Sequence, residues 1–101
     1  MWQLYIKEAK MKPSEYITKG WCQGEFARDS QGEKCYLYSP AVSEWCLVGA
    51  IKEAYLQDNK KCRRAITKLQ RKLNSLQFAT WNDDPTRTQA EVVALLQSIG
   101  E

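Results

Sequence analysis

The 101-residue sequence has no histidine, three prolines, five glycines and no long apolar run. Without histidine, the side chain that most readily exchanges protons near neutral pH is missing, and no serine or cysteine stands beside an evident activating base. A catalytic role is therefore not expected. The longest uncharged apolar stretch, residues 45–51, is far shorter than the roughly 20 residues that cross a bilayer. Residues 1–6 are interrupted by Gln3 and followed by Lys7, Glu8 and Lys10, unlike the basic start and apolar stretch of a secretory leader. No membrane association is expected, and the cytoplasm is the expected location.

The cysteine pattern excludes more than it offers. Cys22, Cys35, Cys46 and Cys62 contain no pair separated by two to four residues, and with no histidine to complete a ligand set they do not read as zinc ligands. In a reducing compartment they are expected as free, mostly buried thiols. Lys34 precedes Cys35, but one neighbouring charge is a weak thiolate signal. Asp29, Asp83 and Asp84 could in principle meet around magnesium, yet nothing in their spacing requires it. No metal or cofactor is expected.

With 44% apolar and 27% charged residues the composition is that of an ordinary water-soluble domain. One domain is expected over residues 1–101, with 1–12 a possible extension. Residues 1–11 fit a strand or a frayed helix, because Trp2, Leu4 and Ile6 alternate with polar neighbours; these three complete the core or form a dimer contact, and the oligomeric state stays open. Lys12-Pro13-Ser14-Glu15 opens a short helix that ends at Gly20. Over about residues 21–39, Gly24 and the Asp29-Ser30-Gln31-Gly32 turn signal predict a small hairpin or a loop packed by its own aromatics, Phe26, Tyr36 and Tyr38. Ser39-Pro40 reads as the start of a central helix to about Gln57, with Gly49 at a close helix crossing. Residues 60–76 place Cys62, Ala65, Ile66, Leu69, Leu73 and Leu76 on one helical face. Residues 77–87 form a connector, and Thr88-Gln89-Ala90-Glu91 is a capping box for a last helix with Val92, Val93, Leu95, Leu96 and Ile99 inward. The fold class is mainly α: a small single-domain bundle of three to four helices with an irregular loop or short hairpin at about 21–39.

Three strings carry a family likeness: Pro13-Ser14-Glu15-Tyr16-Ile17 through Gly20-Trp21-Cys22-Gln23-Gly24 to Phe26-Ala27-Arg28-Asp29; Trp45-Cys46 with Gly49-Ala50; and Trp81-Asn82-Asp83 with Pro85, Arg87-Thr88 and Glu91-Val92. Over about residues 13–99 the chain resembles an uncharacterised family of small bacterial and bacteriophage proteins. The resemblance implies a bacterial cell or phage-infected host and no activity. Thr86 stands where that pattern leads one to expect glycine, so a turn without a positive φ is expected there.

Charge distribution gives the sharpest feature. From residue 59 to 81 there is no acid, while Lys60, Lys61, Arg63, Arg64, Lys68, Arg71 and Lys72 supply seven positive charges; the remaining eight basic and twelve acidic residues leave the rest of the chain at −4. At about 100° per residue, Lys60, Lys61, Arg64, Lys68, Arg71 and Lys72 share roughly a third of the helix circumference, away from the apolar stripe. Such a ridge fits an acidic protein or a phosphate-bearing ligand, with binding weakened by salt; the alternative is a solvated face that keeps the helix soluble. Nucleic acid, if bound, would be bound nonspecifically, because Gln70 and Asn74 alone offer amides for base edges.

The second feature is the pair of loops holding Trp21, Arg28 and Asp29 and holding Trp81, Asn82, Asp83 and Arg87. An indole face beside a guanidinium fork suits a nucleotide or another small anion. The same residues equally suit a structural role, closing turns and capping the core. The leading expectation is a small non-enzymatic interaction protein, with a host-interaction or counter-defence role if phage-borne; a nucleotide or small-anion binder and a nonspecific nucleic-acid binder are the alternatives.

Overall fold

A computed structural model of the chain describes residues 11–37 and 39–101. The expectations for residues 1–10, including the role of Trp2, Leu4 and Ile6, and for Tyr38 lie outside the described residues. Among those described, five helices and a two-stranded antiparallel sheet follow in the order α1 (Pro13–Lys19), β1 (Ala27–Asp29), β2 (Val42–Trp45), α2 (Leu47–Ala54), α3 (Asn59–Leu73), α4 (Phe78–Asn82) and α5 (Gln89–Ser98). The domain is thus mainly helical, and the sheet distinguishes it from a pure bundle.

Proline at the first helical position opens α1 as expected, since that residue needs no N–H donor. The capping box of α5 is present in full: the Thr88 hydroxyl accepts from the Glu91 N–H at 3.2 Å, and Glu91 accepts from the Thr88 N–H at 2.9 Å. The turn before it is an Asp84 turn, in which one carboxylate oxygen accepts from the Thr86 N–H at 2.8 Å. Thr86 therefore needs no positive φ, as expected; among the described non-glycine residues only Asn74, which ends α3 at φ 54°, has one.

The central helix starts later than Ser39-Pro40 suggests. The Ser39 hydroxyl does accept from a backbone N–H, that of Ala41 at 3.1 Å, but it closes a single turn. Residues 42–45 then run extended and pair Trp45 with Ala27 and Glu44 with Arg28, and Cys46 becomes the N-cap of α2, its sulfur accepting from the Gly49 N–H at 3.3 Å. Long-range strand pairing overrides the local helix signal here. Residues 27–35 do form the small hairpin: Asp29 closes its turn by accepting from the Gln31 and Glu33 N–H groups at 2.9 and 3.0 Å, and Arg28 bridges Lys34. The alternative of a loop packed by its aromatics does not hold, because Phe26 and Tyr36 are exposed.

Two glycines let backbones touch. A Cβ on Gly20 would lie 2.1 Å from the Ser43 carbonyl oxygen, and one on Gly49 would lie 2.2 Å from the Phe26 carbonyl oxygen. Gly49 thus marks a helix meeting the 26–27 backbone, where a helix crossing was expected. With Gly20 in place, the 20–22 segment runs beside Trp45, the Trp45 N–H donating to the Gly20 carbonyl and the Cys22 N–H to the Trp45 carbonyl.

The core joins Ile17 of α1, Trp45 of β2, Leu47, Ala50 and Ile51 of α2, Ala65 and Leu69 of α3, Phe78 of α4, and Val92, Leu95 and Leu96 of α5. Each fully buried Leu or Ile among them contributes about 1.5–3 kcal/mol through removal from water. The face of α3 turned to the core is as expected over Ala65 and Leu69, but the helix stops at Leu73, and Leu76 is 64% exposed beyond the Asn74 stop. The connector after it contains α4, a single helical turn and a little more. Buried Glu101 accepts a hydrogen bond from the Tyr55 hydroxyl and pairs with Lys68 Nζ at 2.6 Å.

Gly20→Ala and Gly49→Ala are each expected to lower stability by about 2–3 kcal/mol in urea titration, because the added methyl meets a fixed carbonyl. Gly32, at φ +81° with nothing within 4 Å of its would-be Cβ, is expected to cost about 1 kcal/mol on the same change. Burial, then the bond to Glu101, pushes the Tyr55 phenol up to about 12, and burial pushes the Cys22 thiol up to about 12. In both cases the folded state holds its proton longer than the unfolded chain does. Stability should therefore fall as pH rises from about 9 to 12, measured by urea midpoints across that range.

Candidate functional site

The family-like strings meet at one side chain. Asn82, 1% exposed at the end of α4, uses its carboxamide in four directions. Its Oδ1 accepts from the Trp21 indole at 2.9 Å and from the Leu47 N–H, the first of α2, at 3.0 Å. Its Nδ2 donates to the Cys22 carbonyl at 3.1 Å and to Asp83 Oδ1 at 2.9 Å. Two lone pairs and two N–H groups are the full capacity of an asparagine amide, so this residue ties the 21–22 segment, the start of α2 and the 82–83 segment together. A leucine of similar size offers none of that set, and an aspartate offers only its acceptors.

The surrounding loop groups are also engaged within the chain. The Gln23 side chain donates to the carbonyls of Asn82 and Asp84, both at 2.9 Å. Asp83 Oδ1 accepts from the Gly24 N–H at 3.0 Å. Arg28 donates to the Gly32 and Gln23 carbonyls at 2.9 and 3.0 Å. Arg87 lies with its guanidinium carbon 3.7 Å from the Trp81 ring centre, donates from Nε to the Trp81 carbonyl at 2.9 Å, and pairs with Glu91 at 3.6 Å. The indole and the guanidinium on the second loop thus stack on each other. Trp21, Asn82, Asp83 and Gln23 form one cluster; Asp29 lies apart, in its own hairpin turn. No local pattern announces the role of Gln23, because its partners are backbone carbonyls about 60 residues away.

Three of the thiols are held away from the nucleophilic thiolate form. Burial raises Cys22, Cys46 and Cys35 above the ordinary thiol range, and for Cys35 the carboxylates of Asp29 and Glu53 add to the effect. The four cysteines stand as free thiols, Cys22 buried and the other three half-buried, where mostly buried ones were expected. Among the described residues no three histidine, cysteine, aspartate or glutamate side chains converge on a metal position. Asp29, Asp83 and Asp84 each accept from neighbouring groups in separate bonds.

The structure places the cations of α3 as follows. Lys60, Lys61, Arg63, Arg64, Arg71 and Lys72 are exposed, opposite buried Ala65 and Leu69. Lys68 is the exception, drawn to Glu101. Among the described residues the other cations of this helix form no ion pair. Asp58 caps the helix, accepting from the Lys61 N–H at 3.0 Å.

A small domain with helices on a two-stranded sheet, closed by a saturated asparagine, is the class that fold and site define. A family model described as "Family of unknown function (DUF6197)" matches residues 14–100, and the chain belongs to that family. No curated protein and no solved structure matches it. No helix among the described residues is long and apolar enough to cross a membrane.

Asn82→Ala removes the partner of the Trp21 indole, the Leu47 N–H and the Cys22 carbonyl at once. At about 1 kcal/mol or more per orphaned buried group, a loss of at least about 3 kcal/mol is expected in urea unfolding, with a red shift of tryptophan emission.

Proposed function

We propose that this protein is a non-enzymatic interaction protein that presents the cationic face of α3 to an acidic or phosphate-bearing partner. The observation that carries this reading is how the charges are placed. Lys60 and Lys61 occupy the first turn of α3, where the helix dipole disfavours cations, and Lys60–Arg64, Arg64–Lys68 and Lys68–Lys72 are like-charged neighbours at i, i+4. Each such neighbour costs a few tenths of a kcal/mol, about 0.2–0.5. A helix needing only solubility gains nothing from this arrangement over mixed charge, whereas an anionic partner offsets the repulsion on binding.

The loops support the same reading from the other side. Their tryptophan, arginine and asparagine groups hold the domain together and brace α2, against which α3 packs, so they act as scaffold for the charged face. Host interaction or counter-defence in a phage-infected cell, the setting that the family resemblance implies, would supply partners of this kind.

The reading is tested with Lys60→Glu, Arg64→Glu and Arg71→Glu combined, leaving Lys68 to its internal pair. Fluorescence anisotropy with inorganic polyphosphate, polyglutamate and a short DNA duplex should show binding at about 50 mM salt that falls by at least about tenfold by 200 mM. The triple variant should keep its helical circular dichroism and lose at least about tenfold in affinity. If none of the three polyanions binds at low salt, the cationic face is a solvated surface and the reading fails; the probe held most tightly identifies the partner class.

A further inference from the structure

Beside the Asn82 junction lies a half-open cavity of about 240 Å³, walled by Phe26, Val48 and Phe78 with Glu25 and Asp83 among its lining. We propose that it binds a small aromatic ammonium compound, the ring against Phe26, Val48 and Phe78 and the ammonium toward Asp83 and Glu25. This site is distinct from the cationic face of α3 and does not rest on the role proposed for it.

Three observations select that ligand. Phe26 is 54% exposed, yet its backbone is fixed: its carbonyl accepts from the Cys46 N–H at 3.1 Å and abuts Gly49. The backbone that carries the ring is therefore fixed at the cavity edge, which limits the ordering that an apolar ligand would have to impose. Next, the ionisable carboxyl groups in the lining are both short of partners. Asp83 uses Oδ1 for the Gly24 N–H and for Asn82, its Oδ2 has no hydrogen-bond partner among the described residues, and the Glu25 side chain has none either. No lysine or arginine lines the cavity: Lys52 sits 5.6 Å over the Phe26 ring, and Arg28 is tied to the Gln23 and Gly32 carbonyls. An apolar wall lined by two carboxylates that keep open acceptor oxygens selects a cation with an apolar body.

Size sets the third limit. A dry cavity of about 150 Å³ accommodates benzene, so one of about 240 Å³ takes a ring with a short amine-bearing arm. Phenethylammonium has that size and charge.

The test titrates phenethylammonium, neutral 2-phenylethanol and anionic 3-phenylpropionate into the ¹⁵N-labelled full chain and follows the Gly24, Val48 and Ala79 amides. The ammonium should give saturable shifts at these amides, with affinity at least about tenfold above that of the propionate. Glu25→Gln and Asp83→Asn, which keep an acceptor oxygen in place, should each weaken it about three- to tenfold. Ala79→Trp, at an exposed position in the lining, should fill the cavity and abolish the shifts while the spectrum stays dispersed. The α3 triple variant should bind phenethylammonium as the unaltered chain does. The proposal is overturned if no saturable shift appears by about 10 mM, if the propionate binds as well as the ammonium, or if the shifts survive in Ala79→Trp.

Discussion

A single carboxamide, that of Asn82, sets the geometry of everything around it. Its acceptor fixes the indole of Trp21 and the first N–H of α2, and its donor fixes the Cys22 carbonyl and the neighbouring Asp83. Because all four positions are filled in a site with almost no access to water, the arrangement tolerates neither rotation of the amide nor loss of one partner without stranding another group. Asp83 extends the same logic by holding the Gly24 N–H, and Gln23 by reaching the Asn82 and Asp84 carbonyls. The loops that resembled a ligand site in sequence are thereby turned inward on each other.

Where the chain's local signals acted within a few residues, they were legible. Pro13 opening α1, the Thr88–Glu91 box opening α5, the Asp29 turn, and the two faces of α3 all follow from contacts at sequence separations of about four. What was hidden depends on distant backbone. Val42 to Trp45 carry enough apolar character to continue a helix, and only the pairing of Trp45 with Ala27 and of Glu44 with Arg28 makes them a strand. Gly49 announced a close approach, but not that the approaching group would be the Phe26 carbonyl. Phe26 itself read as loop packing, and its exposure at the edge of a cavity has no periodic signature.

The candidate surfaces divide the same way. The cationic ridge was visible because charge and helical period are properties of the sequence, and five of its six residues lie exposed; the exception, Lys68, is set by Glu101, a contact across 33 positions that no pattern announces. The apolar cavity was invisible because Phe26, Val48 and Phe78 come from three segments far apart in the chain, a loop and two helices. The helix carries exposed cations, whereas the hollow has Glu25 and Asp83 in its lining.

The long reach of Asn82 also bears on the order in which the molecule assembles. Trp21 and its acceptor are 61 residues apart, and Leu47 and the same oxygen 35 apart, so the loops these bonds close cost entropy before any contact rewards them. A nascent chain that has reached α3 already carries α1, both strands and α2 but lacks the amide that joins them. Until synthesis passes residue 82, the Trp21 indole, the Leu47 N–H and the Cys22 carbonyl lack the amide that joins them in the finished domain.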